Sequence, residues 1–565
     1  MHDKNEFPLP RQIADEYLDA LATLDPLTAT MLGMEAGRDR LPDLSPAGAD
    51  ATNDLAVRTL ARLDASEAAG GADSPEERRC ARLLRERLNA SIGLYESQEH
   101  LRSASNLYSP IHQVRQVFTI MPTNDERDWA AVAARMRALP EALDGYRASL
   151  QEGLNRGLPA GPLQITTMLE QFTEWAGESG GDGGSWFAGL VAGGPDTMSE
   201  DLREAAATAT SGLISLRDWL RDSYAPAVAG ASDAVGRERY AVWARYWNGS
   251  EPDLDETYAW GWQEFLRIQQ EMVLEADKVL PGAGPLEAMS HLDSHGETIK
   301  GADAARQYLQ TLMDQVIEEL NDTHFDLAAP LRQVEAMIAP AGSAPAPYYT
   351  PPSLDFSRPG RTWLPSRDTE RFPLWDLIDM WYHEGVPGHH LQLGQWVYVA
   401  DRLSRYQASL VAAVGANVEG WALYSERLMD ELGYFTDPGR RLGYLNAQLW
   451  RASRVIVDIG MHLELRIPDE SPFRPGEVWS RETALEFFAA HSGLSPAMRE
   501  GEITRYLGLP GQAISYKLGE RAWLAGREAA RAAHGADFDL KAWHMAALSL
   551  GSLGLDDLTD ELSRL

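Results

Sequence analysis

The chain has a single cysteine among its 565 residues. One cysteine cannot form an intrachain disulfide, and it excludes cysteine-based zinc fingers and iron–sulfur clusters, which need several thiolate ligands. Cys80 lies in the stretch EERRCARLL, whose amphipathic pattern predicts a buried position on a helix. The cysteine content therefore excludes both the disulfide-stabilised and the cysteine-rich metal-binding classes.

The sequence also lacks long apolar segments. The N-terminus MHDKNEFPLPRQIADEYLDALATL has no apolar stretch of the kind that secretory signals contain. No run of about 18 apolar residues occurs elsewhere, so we expect no membrane-spanning helix. These two absences predict a cytoplasmic location.

Positive charge is scarce. The chain has 51 Lys and Arg against 84 Asp and Glu, which gives a net charge of −33. Such a surface repels nucleic acids and anionic membranes and favours solubility, so we expect neither as a partner. The hydrophobic share of 44% is typical of a folded globular protein.

Strand-like alternation is rare, and helical periodicity dominates. The apolar spacing of helices recurs over 76–95, 127–154, 199–223, 255–279 and 303–320. Alternation typical of strands occurs in YAVWARYWNG near 240 and in LRQVEAMIAP near 331. The pattern predicts a mainly α protein with minor short β-strands. We divide it into an N-terminal helical region, 1–236, and a C-terminal region, 237–565, within one compact body.

The segment 340–373 differs in composition from the rest of the chain. It is rich in Pro, Ser and aromatic residues, and helical periodicity resumes after it with LWDLIDMWYHE. Long irregular segments inside compact proteins are often functional. We therefore expect this segment to contribute to a site.

The stretch WYHEGVPGHHLQ, which begins at Trp381, resembles an interrupted zinc-protease helix. That motif has two His four residues apart and a Glu after the first, so that both imidazoles reach one ion. Here His383 and Glu384 end a predicted helix over 374–384, and Pro387 occupies the fourth place after His383. Pro387 and Gly388 should distort one turn before the helix resumes.

This distortion decides which histidine joins His383. On an undistorted helix neither His389 nor His390 would share an ion with it. If two residues loop out of the helix, His389 becomes the second ligand. His390 is the competing choice.

A second helix offers the remaining ligand. Zinc in catalytic sites takes three protein ligands and leaves one position for water. The stretch NVEGWALYSERLMDEL places Glu419 and Glu426 seven residues apart, on one helix face. We predict Glu419 as a ligand and Glu426 as the acceptor of a hydrogen bond from a ligand imidazole. The alternative is a solvated acidic face, which the neighbouring Trp421 and Tyr424 disfavour.

A polar stripe follows in LNAQLWRASRVIVDIGMHLEL. Arg451, Arg454, Asp458 and His462 succeed one another at steps of three, four and four residues. One interpretation is a structural ladder of salt bridges. In the other, Asp458 or His462 orients or replaces a metal ligand, and Arg454 binds a substrate carboxylate.

The stretch YLGLPGQAISYKLGER contains the last candidates. A tyrosine hydroxyl such as that of Tyr516 can donate to a tetrahedral oxyanion, although a core position is the alternative. Lys517, Arg454 and Arg358 are the candidate substrate-binding cations.

Five segments together identify the chain as resembling the bacterial family named domain of unknown function 885. They are YYTPPSLDFSRPGR, HEGVPGHHLQ, EGWALYSERL, RASRVIVDIGMH and PGQAISYKLG, in the family's order, over roughly the C-terminal 220 residues. The resemblance implies a relative of zincin-like metallopeptidases, with a large helical body and a deep central cleft. It implies zinc at His383, His389 and Glu419, with Glu384 and Tyr516 as catalytic residues.

The sequence thus predicts a zinc-dependent hydrolase that cleaves short peptides. Two alternatives stay open. One is a helical peptide-binding scaffold with a structural or degenerate metal site, and the other is a metal hydrolase of non-peptide amides or esters.

Overall fold

The computed structural model describes residues 7–179, 184–339, 346–365 and 370–565. Helices make up 67% of it, with a few short strands, which confirms the predicted mainly α class. Among the described residues, no helix combines the length and apolar character needed to cross a membrane.

The described residues of the first half of the chain form no strands but a series of helices. They are α1 (Pro10–Leu24), α2 (Pro26–Met31), α3 (Pro46–Ala68), α4 (Pro75–Glu96), α5 (Pro110–Ile120), α6 (Glu126–Asn155), α7 (Pro162–Trp175), α8 (Trp186–Val191), α9 (Ser199–Trp219) and α10 (Ala225–Val228).

Short strands interrupt the helices of the second half. The elements up to residue 373 are α11 (Gly236–Asn248), α12 (Leu254–Val279), α13 (Pro285–His295), β1 (Thr298–Lys300), α14 (Ala302–Leu320), β2 (Val334–Ile338), β3 (Tyr348–Thr350), β4 (Gly360–Leu364) and β5 (Arg371–Pro373). They continue with α15 (Leu374–Glu384), α16 (His389–Tyr398), α17 (Arg405–Ala408), α18 (Gly415–Glu431), α19 (Pro438–His462), α20 (Arg481–His491), α21 (Pro496–Gly508), α22 (Ser515–His534), α23 (Leu540–Leu548) and α24 (Leu555–Leu562).

The five predicted helical stretches are confirmed as α4, α6, α9, α12 and α14. Cys80 is fully buried in α4, as predicted, with its Sγ 3.7 Å from Ser404 Oγ. The predicted strand LRQVEAMIAP contains β2 and is also confirmed.

The strand predicted near 240 is wrong, because YAVWARYWNG lies in α11 and the turn after it. The buried residues of this helix are Tyr240, Ala244 and Asn248, which recur every four positions on one face. Intervening aromatic residues give the sequence the appearance of alternation, although they lie on other faces of the helix.

Two large apolar cores and a small cluster around Trp396 organise the helices of the described residues. The first contains α5 to α9, with Met136 of α6 and Leu213 of α9 fully buried in it. The second runs from α11 to α24 and also includes buried residues of α1, α3 and α4. The division between regions 1–236 and 237–565 stays a prediction.

Glycines let the helices around the site approach closely. A Cβ added to Gly420 of α18 would lie 2.3 Å from Gly519 Cα of α22, and one on Gly519 would lie 1.9 Å from Ala416 O. In the same way, a Cβ on Gly443 of α19 would lie 1.7 Å from Trp375 O of α15. Because distances under 3.0 Å are not tolerated, these two helix pairs can contact only through glycine.

The irregular segment 340–373 contributes most of the strands. β4 lies between β2, to which it is parallel, and β3, to which it is antiparallel. β5 pairs antiparallel with β1. The parts 340–345 and 366–369 of the predicted functional segment lie outside the described residues.

Candidate metal centre

The chain leaves the helix between Glu384 and His389, as the Pro-Gly pattern predicts. Gly388 N–H donates to Tyr382 O at 3.1 Å, and a Cβ on Gly388 would lie 1.9 Å from His383 O. The looped backbone is held by the Trp421 indole N–H, which donates to Pro387 O at 2.8 Å. Only glycine fits at 388, and the loop sets the position from which α16 begins.

The loop brings His389, and not His390, beside His383. The two imidazole rings lie 4.7 Å apart at 83° to each other. Ligand atoms of His383, Glu384 and His389 all lie within 4.8 Å of one another, and all three residues are buried. Glu419 reaches the same place from α18, with Oε2 at 3.5 Å from Nε2 of both histidines.

These distances fit a metal ion. In a tetrahedral zinc site with bonds of about 2.0–2.1 Å, ligand atoms lie about 3.3 Å from one another. Buried Glu419 Oε2 has no hydrogen-bond partner, which is costly for a carboxylate unless a cation lies next to it. Two imidazole nitrogens and one carboxylate are the donors that zinc prefers, so the residues fit the ion.

The charges at the cluster also favour a cation. Burial alone would lower the pKa of His383, but the carboxylates of Glu419 and Glu426 outweigh it and raise this pKa to about 10. Burial would raise the pKa of Glu419, yet the adjacent His383 and His389 hold it well below its usual value. The cluster therefore stabilises positive charge between these side chains.

Glu384 differs from the other carboxylates of the cluster. Burial raises its pKa, and the imidazoles of His389 and His383 only partly oppose this effect. A carboxylate with a raised pKa binds a proton more readily than a free one, which suits a general base.

A chain of buried polar groups supports His383. Its Nδ1–H donates to Glu426 Oε1 at 2.6 Å, and Glu426 Oε2 accepts from the Gln448 amide at 2.9 Å. Gln448 Oε1 accepts in turn from Lys517 Nζ at 2.6 Å. Sequence reasoning missed Gln448, although it extends the polar stripe of α19 by one turn towards the N-terminus.

Asp379 was also missed. It lies one helical turn before His383, is almost fully buried, and neither carboxylate oxygen has a hydrogen-bond partner. Burial, reinforced by the charge of Glu426, raises its pKa well above the usual value. Its position four residues from His383 is the sequence signal that could have found it.

His390, the competing ligand, uses both ring nitrogens elsewhere. Nε2–H donates to Leu331 O at 2.9 Å, and Nδ1 accepts from Tyr349 O–H at 3.0 Å. Burial lowers the pKa of His390 to about 4, which keeps the ring neutral. The structure thus places His390 in the contact between α16 and the β3 strand.

Asp458 and His462 bond to other elements. Asp458 Oδ2 accepts from Tyr240 O–H at 2.7 Å and from Gly511 N–H at 3.0 Å. His462 Nε2–H donates to Tyr506 O at 3.0 Å. These hydrogen bonds fix the turn that precedes α22, and none of them reaches the metal cluster.

Tyr516 lies beside the cluster. Burial and then the charge of Glu419 raise the pKa of its hydroxyl. The guanidinium carbon of Arg454 lies 4.5 Å from the Tyr516 ring centre, so Tyr516 contacts Arg454.

The other two candidate cations bond within the protein. Arg358 donates to Pro351 O at 2.8 Å and to Pro359 O at 3.2 Å, next to β4. Lys517 is 0% exposed, and its ammonium donates to Glu520, Glu264 and Gln448. Because these partners occupy the ammonium, we place Lys517 in the support of the cluster and not among groups open to a substrate.

The chain belongs to the family described as bacterial protein of unknown function (DUF885), whose model matches residues 26–562. This confirms the resemblance and extends it from the C-terminal motifs to nearly the whole chain. A search of curated proteins gives no match.

Two solved structures have the same fold. One is "the putative lipoprotein from Colwellia psychrerythraea", with a TM-score of 0.80 and 22% identity, over 98% of this chain and 99% of that chain. The other is "a putative lipoprotein of unknown function from Shewanella oneidensis", with a TM-score of 0.75 and 20% identity, over 98% and 100%.

Proposed function

We propose that the protein is a zinc-dependent hydrolase of short peptides, related to zincin-like metallopeptidases. The observation that carries this proposal is the position of Glu419 Oε2, 3.5 Å from Nε2 of both His383 and His389. Glu384, the residue after His383, supplies a buried carboxylate at the same cluster.

Zinc bound by His383, His389 and Glu419 would lower the pKa of a coordinated water to about 7 and polarise the scissile carbonyl. Glu384 takes the proton of the attacking water and later gives it to the leaving amine nitrogen. The raised pKa of Glu384 supports both transfers, since the group must gain and lose a proton in each turnover.

Tyr516 is the donor to the oxyanion in this proposal. Its hydroxyl lies close enough to Glu419 for that charge to raise its pKa, so the proton stays on the oxygen at neutral pH. A neutral phenol can donate a hydrogen bond to the oxygen on which negative charge develops.

The Glu384→Gln variant tests the assignment of the base. We expect it to keep its metal and to lose about 10²- to 10⁴-fold in peptidase turnover, the range of general-base catalysis. Glu528→Gln on the surface of α22 is the control, because this side chain is 56% exposed and lies outside the cluster. Retained metal with unchanged turnover in Glu384→Gln would remove the base assignment.

Burial of the cluster favours a second candidate function. His383, Glu384 and His389 are all less than one-tenth exposed, as in structural zinc sites. A helical peptide-binding scaffold with such a site would bind peptides without cleaving them. Hydrolysis of esters or non-peptide amides, with peptides left intact, would support the remaining alternative.

A cytoplasmic location stays part of the proposal. It depends on the lack of long apolar segments at the N-terminus and elsewhere, and the two similar structures are of proteins described as lipoproteins. Fractionation of cells that express the full-length protein tests it. Recovery in the membrane fraction, with release by detergent, would contradict it.

A further inference from the structure

Three buried N–H groups around Arg454 and Glu502 have no acceptor. They are Trp450 Nε1, Arg454 Nη1 and Arg505 Nε. The guanidinium carbon of Arg454 lies 4.3 Å from the Trp450 ring centre, and both arginines donate to the same carboxylate oxygen of Glu502, at 3.0 and 2.9 Å. Since a buried donor without an acceptor is costly, this group of three donors requires an explanation.

The charges around these donors do not balance. The single carboxylate of Glu502 is shared by the two guanidinium groups of Arg454 and Arg505. Asp458, the other carboxylate near Arg505, is hydrogen-bonded to Tyr240 and Gly511. An excess positive charge in a buried position is stabilised by an anion.

Arg451 does not belong to this group. It also has a buried donor without an acceptor, Nε, and its guanidinium carbon lies 5.0 Å from the Trp450 ring centre, but its ion-pair partner is a different carboxylate. Its Nη2 lies 3.8 Å from Glu426, and its charge acts on Asp379. The carboxylate of Glu426, whose pKa despite burial is lowered chiefly by Arg451, therefore balances the charge of Arg451.

Arg454 is held rigidly, and one of its buried nitrogens has no acceptor. Its guanidinium is stacked on Trp450 at 4.3 Å and on Tyr516 at 4.5 Å. Nε donates to Tyr506 O–H at 3.0 Å and Nη2 to Glu502, so Nη1 is the nitrogen without a partner. A guanidinium fixed in this way loses little entropy when it binds a planar carboxylate.

The position of Tyr516 connects this group to the cluster. Its ring contacts Arg454, and its hydroxyl is affected by the charge of Glu419. A substrate with its scissile bond at the cluster can therefore extend past Tyr516 and place a negative group at Arg454.

On the basis of the proposed function, we infer that Arg454, with Trp450 and Arg505, binds the C-terminal carboxylate of the substrate. The protein is then an exopeptidase that acts on short peptides with a free C-terminus. The carboxylate supplies acceptors for donors that have none, and it offsets the excess charge of the two arginines.

The test compares two substrates with the zinc-loaded protein. One is an N-blocked short peptide with a free C-terminal carboxylate, and the other is the same peptide with a C-terminal amide. We expect kcat/KM to be about 10- to 100-fold higher for the acid, as for one hydrogen bond to a charged group. Arg454→Gln should lose this preference through a higher KM for the acid, and Arg454→Lys should keep part of it.

Arg521→Gln is the matched control. Arg521 also lies over an indole, 4.8 Å from the Trp260 ring centre, and also pairs with a glutamate, Glu256. It is an exposed residue of α22, so its loss should leave the ratio of acid to amide unchanged.

The outcomes separate this inference from the proposed function. Equal cleavage of acid and amide by the wild-type protein would overturn the carboxylate site and leave the hydrolase standing. If neither peptide is cleaved, the proposed hydrolase function is contradicted, and the carboxylate site is tested by calorimetric binding of the two peptides. Equal affinity for acid and amide overturns the site, and tighter binding of the acid supports it. If Arg454→Gln does not fold, the wild-type comparison still gives the answer.

Discussion

His383 Nδ1 lies 2.6 Å from Oε1 of Glu426. Glu426 follows Glu419 by seven residues on α18. Because a carboxylate only accepts hydrogen bonds, this contact keeps a proton on Nδ1 and directs Nε2 towards Glu419, where a metal ion would replace the Nε2 proton. One face of α18 thus contributes both a candidate ligand and the group that orients another ligand. A metal-binding histidine is commonly held in this way.

The Glu426→Gln variant should lower zinc affinity by about 10- to 100-fold. Gln448 cannot adapt to the new amide by rotating, because its Oε1 accepts from Lys517 while its Nε2 donates to position 426. If the oxygen of the new amide accepts from His383, its N–H groups face the N–H groups of Gln448. If the new amide is turned round, it no longer accepts from His383. Competition with a chelating dye measures the affinity, with the exposed Glu528→Gln as control, and an unchanged affinity would contradict this role.

Gly388→Ala should destabilise the fold and abolish metal binding. The added Cβ would lie 1.9 Å from His383 O and 2.4 Å from Tyr382 O, so the loop that positions His389 must move. We expect a loss of about 2–4 kcal/mol in the free energy of unfolding. Denaturant unfolding and metal analysis measure the two effects.

Gly501→Ala in α21 is the control for this experiment. No atom lies within 4 Å of a Cβ added there, so alanine should stabilise the helix by about 0.5–1 kcal/mol. Equal behaviour of the two variants would show that the loop tolerates a side chain at position 388.

The sequence predicts the site better than its surroundings. The α15 helix spans the predicted residues 374–384, and the Pro-Gly interruption lets His389 approach His383, because these features follow from local backbone chemistry. The seven-residue spacing of Glu419 and Glu426 likewise places both beside His383.

Residues that act through tertiary contacts were not predictable in this way. Gln448 supports Glu426 only because α18 and α19 pack together, and its own sequence surroundings indicate no such role. His390 is placed against Tyr349 by the irregular segment before β4, whose course no periodicity reveals. The aromatic stretch of α11 alternates in sequence as a strand does. Which of its residues are buried depends on the helices packed around it, and the sequence of the stretch does not show this.

Stability should fall between pH 6.5 and pH 4 in part because of His390. Burial lowers its pKa to about 4 in the folded protein, whereas an unfolded histidine titrates near 6.5. In that window the unfolded chain binds more protons, so stability is lost as the pH falls. The contribution is at most about 3 kcal/mol, from 1.36 kcal/mol per pKa unit.

The variant His390→Gln removes this contribution. Chemical denaturation at several pH values should show a shallower dependence between pH 4 and pH 6.5 than for the wild-type protein. An identical slope would mean that His390 is not held neutral by Leu331 and Tyr349.

Metal analysis of the freshly purified protein and of two alanine variants tests the central claim most directly. We expect one zinc ion per chain in the wild-type protein and in His390→Ala, and none in His389→Ala, because, of these two histidines, His389 directs Nε2 towards Glu419 and His390 directs it to Leu331 O. Absence of metal from the wild-type protein after incubation with zinc, or full retention in His389→Ala, would contradict the metal centre.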